Sequence, residues 1–284
     1  MRSEVKARPV SRTRGRRLGA FVFLSPGLTY LVVLLLVPLA LVLSYTVFQR
    51  GRFGGIVYEF TLENFQRLFD SLYLNVVGDS LKMATIATLI ALLLGYPTAY
   101  LIAQLPSKWK TIALVAIVLP FWTNFIIRVY AWIIMLSSQG LLSNLLGKEM
   151  ELLYTQGAIV TGLLYSYLPL MVLPLFSSIE KLDPQLREAS ANLGASAFTT
   201  FRKVTLPLTL PGALTGAMFV FVPSFGNFVI PEMLGGNKSI MVGNLIRNQF
   251  LVARDWPFGS ALVLALIAVL ILLLLVQAWA ARRA

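Results

Sequence analysis

The chain has 284 residues, of which 57% are hydrophobic and 13% charged, and its mean hydropathy is +0.78. This composition excludes an ordinary soluble domain and predicts an integral membrane protein. The formal net charge of +12 would indicate nucleic-acid binding in a soluble protein, but the cations cluster at the ends of apolar runs, so we expect no nucleic-acid partner. The chain lacks cysteine and histidine, which excludes disulfides, metal sites built on these residues and catalytic triads that need them.

The amino-terminal segment is strongly basic. Seven lysines and arginines occur in residues 1–17, where we expect a cytoplasmic tail. The apolar run that follows, residues 18–48, is too long for the core of a signal peptide and lacks a convincing A-x-A cleavage site. We therefore predict that this run is a retained membrane helix.

Six apolar segments are long enough to cross a bilayer, which takes about 20 residues in a helix. Proline interrupts several of them, including Pro120 in the third. Such breaks persist in lipid where neighbouring helices or a water-filled cavity satisfy the freed backbone groups. The predicted spans form an all-α membrane domain over residues 18–284, in contact with membrane lipid, and they are 18–48, 74–104, 111–137, 156–178, 208–234 and 259–281.

The distribution of lysine and arginine predicts the orientation of the chain. The side that holds both termini has fifteen of these residues in its tails and connections, and the opposite side has seven. Because cytoplasmic segments carry the excess of positive residues, we expect both termini to be cytoplasmic. The connection between the fourth and fifth spans is then cytoplasmic as well.

That connection, residues 183–211, is a polar segment in an otherwise apolar chain. Asp183 followed by Pro184 predicts a helix start, and Gly194 predicts a helix end. Ser196 is a candidate cap for a second short helix. Two short helices joined at a glycine indicate a docking element, and the alternative is an ordinary loop between membrane helices.

This segment also contains a spaced motif, which is Glu188-Ala189-Ser190, three residues, Gly194, nine residues and then residues 204–207, Val-Thr-Leu-Pro. The motif resembles the EAA loop of ABC importer permeases, whose pattern is E-A-A, three residues, G, nine residues and I-x-L-P. The sequence departs from that pattern at Ser190 and at Val204. The resemblance implies the type I ABC importer permease fold and assigns a coupling loop to residues 180–207. It also implies contact with an ATPase at the matching positions, which are Glu188, Ala189, Ser190, Gly194, Leu206 and Pro207.

Further stretches resemble one subgroup of these permeases, the spermidine/putrescine permeases of the PotB type. The matching residues are 120–124, 127–130, 176–182 and 255–259. The resemblance implies a second permease of the PotC type, a dimer of ABC ATPase subunits, and a periplasmic or lipid-anchored substrate-binding protein. It also implies a multi-pass protein of the bacterial inner membrane. A permease for another small solute in a related importer remains an alternative.

The chain itself carries no nucleotide-binding signature. The G-x-x-x-x-G-K-[ST] pattern is missing, since Gly147-Lys148 lacks both the preceding glycine and the following hydroxyl. We therefore expect a non-catalytic subunit without a bound cofactor or metal, with ATP and Mg²⁺ on the partner ATPase. A secondary transporter driven by an ion gradient is a weaker alternative, because histidine is absent and carboxylates are scarce in the spans. A membrane scaffold that moves no solute is a further alternative.

Polar and aromatic residues in the spans are candidates for a substrate path. A carboxylate at Glu232, at the outer end of the fifth run, would suit an amine of a cationic cargo, and an interfacial acid is the alternative. The aromatic rings of Trp122 and Tyr130 would suit a cation path, although such rings also face lipid or core. Asn124 is a mid-span polar residue that either lines a pore or bonds a neighbouring helix.

Arg128 conflicts with a path for cations. A fixed positive charge near the middle of a span repels a cationic cargo unless it is paired. The sequence leaves two candidate partners, Glu232 and Asp79.

Overall fold

The computed structural model describes residues 14–146, 151–236 and 239–283, and most of them are helical. Residues 1–13 of the predicted basic tail lie outside this range, and the cytoplasmic position of the termini remains a prediction. The helices are Arg14–Tyr45 (α1), Glu63–Arg67 (α2), Ser71–Ala103 (α3), Ser107–Val118 (α4), Phe125–Leu136 (α5), Leu141–Leu146 (α6), Gln156–Glu180 (α7), Pro184–Asn192 (α8), Ala197–Thr200 (α9), Leu206–Phe225 (α10), Val242–Leu251 (α11) and Trp256–Arg283 (α12), and the strands are Phe48–Arg50 (β1) and Ile56–Phe60 (β2).

Within the described residues, six helical segments are long and apolar enough to cross a membrane, which confirms the predicted number. The first of them has no buried residue in its apolar window, as expected for a helix that mostly contacts lipid. The segments are Leu24–Tyr45, Ser71–Ala103, Phe125–Leu145, Gln156–Glu180, Ala197–Phe225 and Trp256–Trp279.

The third span, predicted over residues 111–137 with an interruption at Pro120, is broken at that proline. Helix α4 ends at Val118 and passes into a 3₁₀ turn, Leu119–Trp122, that contains Pro120. Proline cannot donate a helical hydrogen bond, and the chain is extended at Thr123. Helix α5 then begins afresh at Phe125.

The fifth span ends earlier than the predicted residues 208–234. Helix α10 ends at Phe225 with Gly226 as its C-cap. A separate π-type turn, Pro231–Gly235, follows. Just before it, the Oδ1 of Asn227 accepts the backbone N–H of Ile230 at 2.8 Å. Glu232 therefore belongs to this turn and not to the end of the fifth helix.

Helices α3, α7 and α10 form the centre of the bundle. Small residues let their backbones approach closely: a Cβ added to Gly216 would lie 3.0 Å from the carbonyl oxygen of Met171 and 2.8 Å from its sulfur. Ala91 and Ala99 on α3 are fully buried in the same region. Lipid removes the hydrophobic drive between helices, so close packing through small residues holds such bundles together.

The segment between α1 and α3 forms a two-stranded antiparallel hairpin followed by α2. Arg67 on α2 forms an ion pair with Asp255 at 2.9 Å, and its guanidinium lies 3.9 Å above the ring of Phe258. Burial works against the charge of Arg67, but the hydrogen bond and charge of Asp255 outweigh it, so the pKa of Arg67 lies above its ordinary value. This pair attaches α2 to the first turn of α12.

The glycine contact at the centre of the bundle predicts a stability change. We expect Gly216→Ala to lower the apparent Tm of the detergent-solubilised protein, because overpacking a closed contact costs about 1–3 kcal/mol. Gly78→Ala on α3 is the matched control, since a Cβ there meets nothing within 4 Å. Its Tm should stay unchanged or rise, because alanine favours a helix by up to about 1 kcal/mol over glycine. Equal Tm values for the two variants would contradict the packing argument.

Candidate coupling loop and substrate path

Helix α8 begins as the sequence predicts. The Oδ1 atom of Asp183 accepts the backbone N–H of Gln185 at 2.9 Å, and Pro184 occupies the first turn, where its missing N–H is not needed. Glu188 and Ala189 lie in the exposed part of this helix. Their side chains are therefore available to a partner protein.

Gly194 reverses the chain after α8. Its φ of +79° lies in the left-handed region, which glycine adopts without strain. The predicted cap at Ser196 is confirmed, since its Oγ accepts the backbone N–H of Thr199 at 3.3 Å. The hydroxyls of Ser190 and Thr200 lie 2.9 Å apart and join the two short helices. The serine that replaces the alanine of the EAA pattern thus provides a hydrogen bond inside the loop.

The loop returns to the bundle through an aromatic anchor. The ring of Phe201 packs edge-on against Tyr96 and Tyr100, with centroid distances of 5.4 and 6.4 Å. The hydroxyl of Tyr96 lies 2.7 Å from that of Thr209, which itself donates to the carbonyl of Thr205 at 2.8 Å. Tyr96 is therefore the donor of the first bond. The sequence predictions did not include Tyr96 or Thr209, because nothing in the spacing relates α3 to this loop.

A second attachment lies just before the loop. Lys110, near the start of α4, donates to both carboxylate oxygens of Glu180 at 2.8 and 2.9 Å. Glu180 is the last residue of α7 and precedes the cap Asp183 by three positions. Leu206 and Pro207 then start α10 on the other side of the loop. The loop is thus attached to α4, α7, α3 and α10.

The outer surface of the loop is partly apolar. Leu193 and Phe198 are 89% and 72% exposed, and Leu186 is 44% exposed. Large apolar side chains grouped on a polar segment mark an interaction surface.

Three of the predicted path residues lie at or near the break in the third span. Trp122 ends the 3₁₀ turn and is 80% exposed, and Tyr130 on α5 is 54% exposed. Asn124 caps α5, since its Oδ1 accepts the backbone N–H groups of Ile126 and Ile127 at 2.9 and 3.4 Å. The expected need of Asn124 for a partner is therefore met by its own helix, and neither a pore role nor a helix–helix bond is needed to explain it.

The fourth predicted path residue, Glu232, has a partner that the sequence reasoning missed. It forms an ion pair with Arg247 on α11 at 3.0 Å, and both side chains are partly exposed. The pairing of Arg128 with Glu232 that the sequence left open is absent, and within the described residues Arg128 has no ion pair with Asp79 either. Glu232 and Arg247 are fifteen residues apart across an irregular segment, so no regular spacing in the sequence predicts their ion pair.

Arg128 instead lies between aromatic rings. Its guanidinium carbon is 5.4 Å from the ring centroid of Phe121 and 5.7 Å from that of Phe125. Its Nε is buried and has no hydrogen-bond partner within the described residues. A charged side chain at the centre of a bilayer costs about 3 kcal/mol when it is unpaired. The site is therefore incomplete in the isolated chain.

Residues 91–284 match the family described as "Binding-protein-dependent transport system inner membrane component". The chain is 41% identical over 254 residues to a protein of Haemophilus influenzae named "Spermidine/putrescine transport system permease protein PotB", covering 87% of this chain and 89% of that protein. The Escherichia coli protein of the same name is 42% identical over 260 residues, which are 89% of this chain and 94% of that protein. This chain belongs to the family. The permease is therefore a multi-pass inner-membrane protein.

Solved structures confirm the predicted permease fold. A bacterial ABC transporter involved in the import of the acidic polysaccharide alginate has a chain that superposes on the permease with a TM-score of 0.74 at 15% identity, covering 95% of this chain and 96% of that one. The MetNI methionine ABC transporter gives a TM-score of 0.58 at 18% identity, covering 74% and 94% of the two chains. At these identities the likeness shows the fold alone.

The aromatic anchor of the loop generates a prediction. Tyr96→Phe keeps the ring contact with Phe201 but removes the hydrogen bond to Thr209, so we expect a loss of about 1 kcal/mol in the free energy of unfolding. A lower Tm in detergent would measure this loss. Tyr100→Phe is the matched control, because its hydroxyl makes no hydrogen bond to the described residues and its ring contact remains. If both variants kept the wild-type Tm, the Tyr96 bond would not anchor the loop.

Proposed function

We propose that the permease forms, together with a second permease subunit, the translocation path of an ABC importer for polyamines such as spermidine and putrescine. The observation that carries this proposal is the similarity of 41–42% to two permeases named for spermidine and putrescine, over at least 87% of the chain. The chain contributes no nucleotide-binding motif, and a separate ATPase dimer hydrolyses ATP with Mg²⁺. The role of this permease is to form part of the solute path and to couple that path to the ATPase.

The loop over residues 180–207 is the proposed coupling element on the cytoplasmic side. Helix α8 presents Glu188 and Ala189 to the ATPase, and the exposed Leu193 and Phe198 add apolar contact area. Gly194 provides the reversal, Ser190 joins α8 to α9 through Thr200, and Leu206 and Pro207 begin α10. Because the loop is rigidly attached, closure of the ATPase dimer would move α7 and α10 with it.

The remaining partners of the proposed importer follow from its class. A second permease of the PotC type completes the path, and a periplasmic or lipid-anchored binding protein delivers the solute. A permease of the same fold belongs to an alginate transporter whose structure includes a periplasmic protein bound to an alginate pentasaccharide. That structure supports the assembly proposed here.

Glu232 is the proposed cargo contact at the outer side of the path, with Trp122 and Tyr130 as aromatic neighbours of a passing cation. The ion pair with Arg247 means that Glu232 is already neutralised when no cargo is bound. Partly exposed ion pairs contribute only about 0–1 kcal/mol, so an ammonium group of a polyamine can replace Arg247 at little cost. Asn124 serves as a cap and positions the helix that carries Tyr130.

A second candidate function is the import of another small solute by the same mechanism. The observation that favours it is Arg128, whose positive charge suits an anionic solute better than a polyamine. Thermal stabilisation of the cognate binding protein by putrescine, spermidine and small anions separates the two candidates. Stabilisation by the polyamines alone supports the first, and stabilisation by an anion alone overturns it.

The assembly itself is tested by purifying the tagged permease from its native membrane and identifying the subunits that accompany it. We expect a second permease and an ATPase, together with polyamine uptake that orthovanadate inhibits. Uptake that persists without any ATPase would overturn the proposal in favour of an ion-coupled transporter, and the absence of uptake would favour a scaffold.

Glu188→Lys should uncouple the importer. In the proposed contact Glu188 pairs with a basic group of the ATPase. Reversing its charge replaces that attraction by repulsion, so we expect transport-coupled ATP turnover in proteoliposomes to fall at least tenfold, a coupling loss of about 1.4 kcal/mol or more. Glu59→Lys on β2 makes the same charge change at another exposed position and should leave turnover unaltered. Normal turnover in the Glu188 variant would exclude a coupling role for this carboxylate.

Glu232 and Arg247 should shift the affinity for polyamine in opposite directions. Glu232→Gln removes the carboxylate that receives an amine, so we expect a several-fold higher KM for uptake. Arg247→Gln removes the competing cation, so we expect a lower KM. Glu151→Gln, at an exposed acid before α7, is the control. A KM that stays at the wild-type value in both test variants would remove this pair from the path.

A further inference from the structure

Arg128 lies near the middle of the membrane domain. It follows Phe125 by less than one turn of α5, and Tyr167 is near the midpoint of α7. Phe125 and Tyr167 pack against the same buried apolar cluster. The guanidinium is therefore at a depth that lipid headgroups do not reach.

The described part of the chain offers this cation no counter-ion. Of its twelve acidic residues, only Glu4 and Glu149 lie outside the described part of the chain, and both fall outside the predicted spans. None of the described acids is within ion-pair distance of Arg128. Charged side chains inside membrane domains are almost always paired or face a water-filled cavity. The Nε of Arg128 is buried and unbonded, which argues against a water-filled cavity, so we look for the counter-ion in another subunit.

The surface around Arg128 is open. Ile126 and Ile127 beside it are 51% and 67% exposed. Such an apolar surface around a single cation suits a helix from another subunit that carries one carboxylate. Arginine is also the cation best suited to a buried pair, because its planar group binds a carboxylate through two parallel hydrogen bonds.

We propose that Arg128 forms an ion pair with a carboxylate of the second permease subunit and thereby fixes how the two permeases meet at mid-membrane depth. This inference rests on the proposed function, because a polyamine is a cation and cannot itself neutralise Arg128. The rings of Phe121 and Phe125 lie 5.4 and 5.7 Å from the guanidinium carbon, so this subunit surrounds the cation with aromatic rings and supplies no carboxylate. Once paired, Arg128 no longer opposes the passage of a cation.

The test compares assembly with the stability of the single subunit. We expect Arg128→Gln to lower the yield of the co-purified second permease at least tenfold, because the partner carboxylate is left buried without a counter-ion. Arg128→Lys should show an intermediate loss, since lysine keeps the charge but not the two parallel bonds. The Tm of the permease purified alone should be the same for wild type and Arg128→Gln. Arg52→Gln is the control, since it removes an exposed cation outside the spans, and it should retain assembly.

A charge exchange identifies the partner residue. Arg128→Glu should abolish co-purification, and replacing one acid in the spans of the second permease by arginine should restore it. The proposal is overturned if Arg128→Gln assembles normally, if it lowers the Tm of the single subunit as much as that of the complex, or if it changes only the KM for solute. Failure of the wild-type permease to co-purify with any second permease would instead count against the proposed function.

Discussion

Inside a bilayer every backbone N–H and C=O has to find a partner within the protein, and this permease meets that constraint at two helix breaks with asparagine side chains. Asn124 accepts the first amides of α5. Asn227 accepts the amide of Ile230 and donates to the hydroxyl of Tyr167 at 2.7 Å. The breaks are therefore fixed parts of the bundle, and they hold Trp122 and the turn that carries Glu232 in defined positions.

The break in the third span is connected to the loop over residues 180–207 through helix α4. Helix α4 is tied at its start to the end of α7 through Lys110 and Glu180, and its other end is the break before α5. A displacement of α8 would thus reach α7 directly and the third span through this ion pair. The anchor of Phe201 on Tyr96 carries the same displacement to α3. In the proposed mechanism, coupling and passage are therefore linked by packed, hydrogen-bonded contacts.

The three ion pairs and Arg128 differ in where their charges lie. The pairs Arg67–Asp255, Lys110–Glu180 and Arg247–Glu232 each involve a partly exposed group at a helix end or connection. Arg128 alone among these cations lies at mid-membrane depth between aromatic rings without a carboxylate in the described chain. A charge that is costly in lipid and unpaired within its subunit indicates an interface, which is why the second permease is the proposed source of its partner.

The sequence by itself determined the class of the protein, the number of spans and the local design of the loop, because apolar run length, the Asp183-Pro184 start and the glycine at position 194 act over a few residues. Only the tertiary structure decided where the fifth span ends and which charges pair. Tyr96 with Thr209 and Glu232 with Arg247 are joined by packing between distant segments. Such contacts depend on how the helices pack against one another, and neither hydropathy nor spacing along the chain predicts that packing.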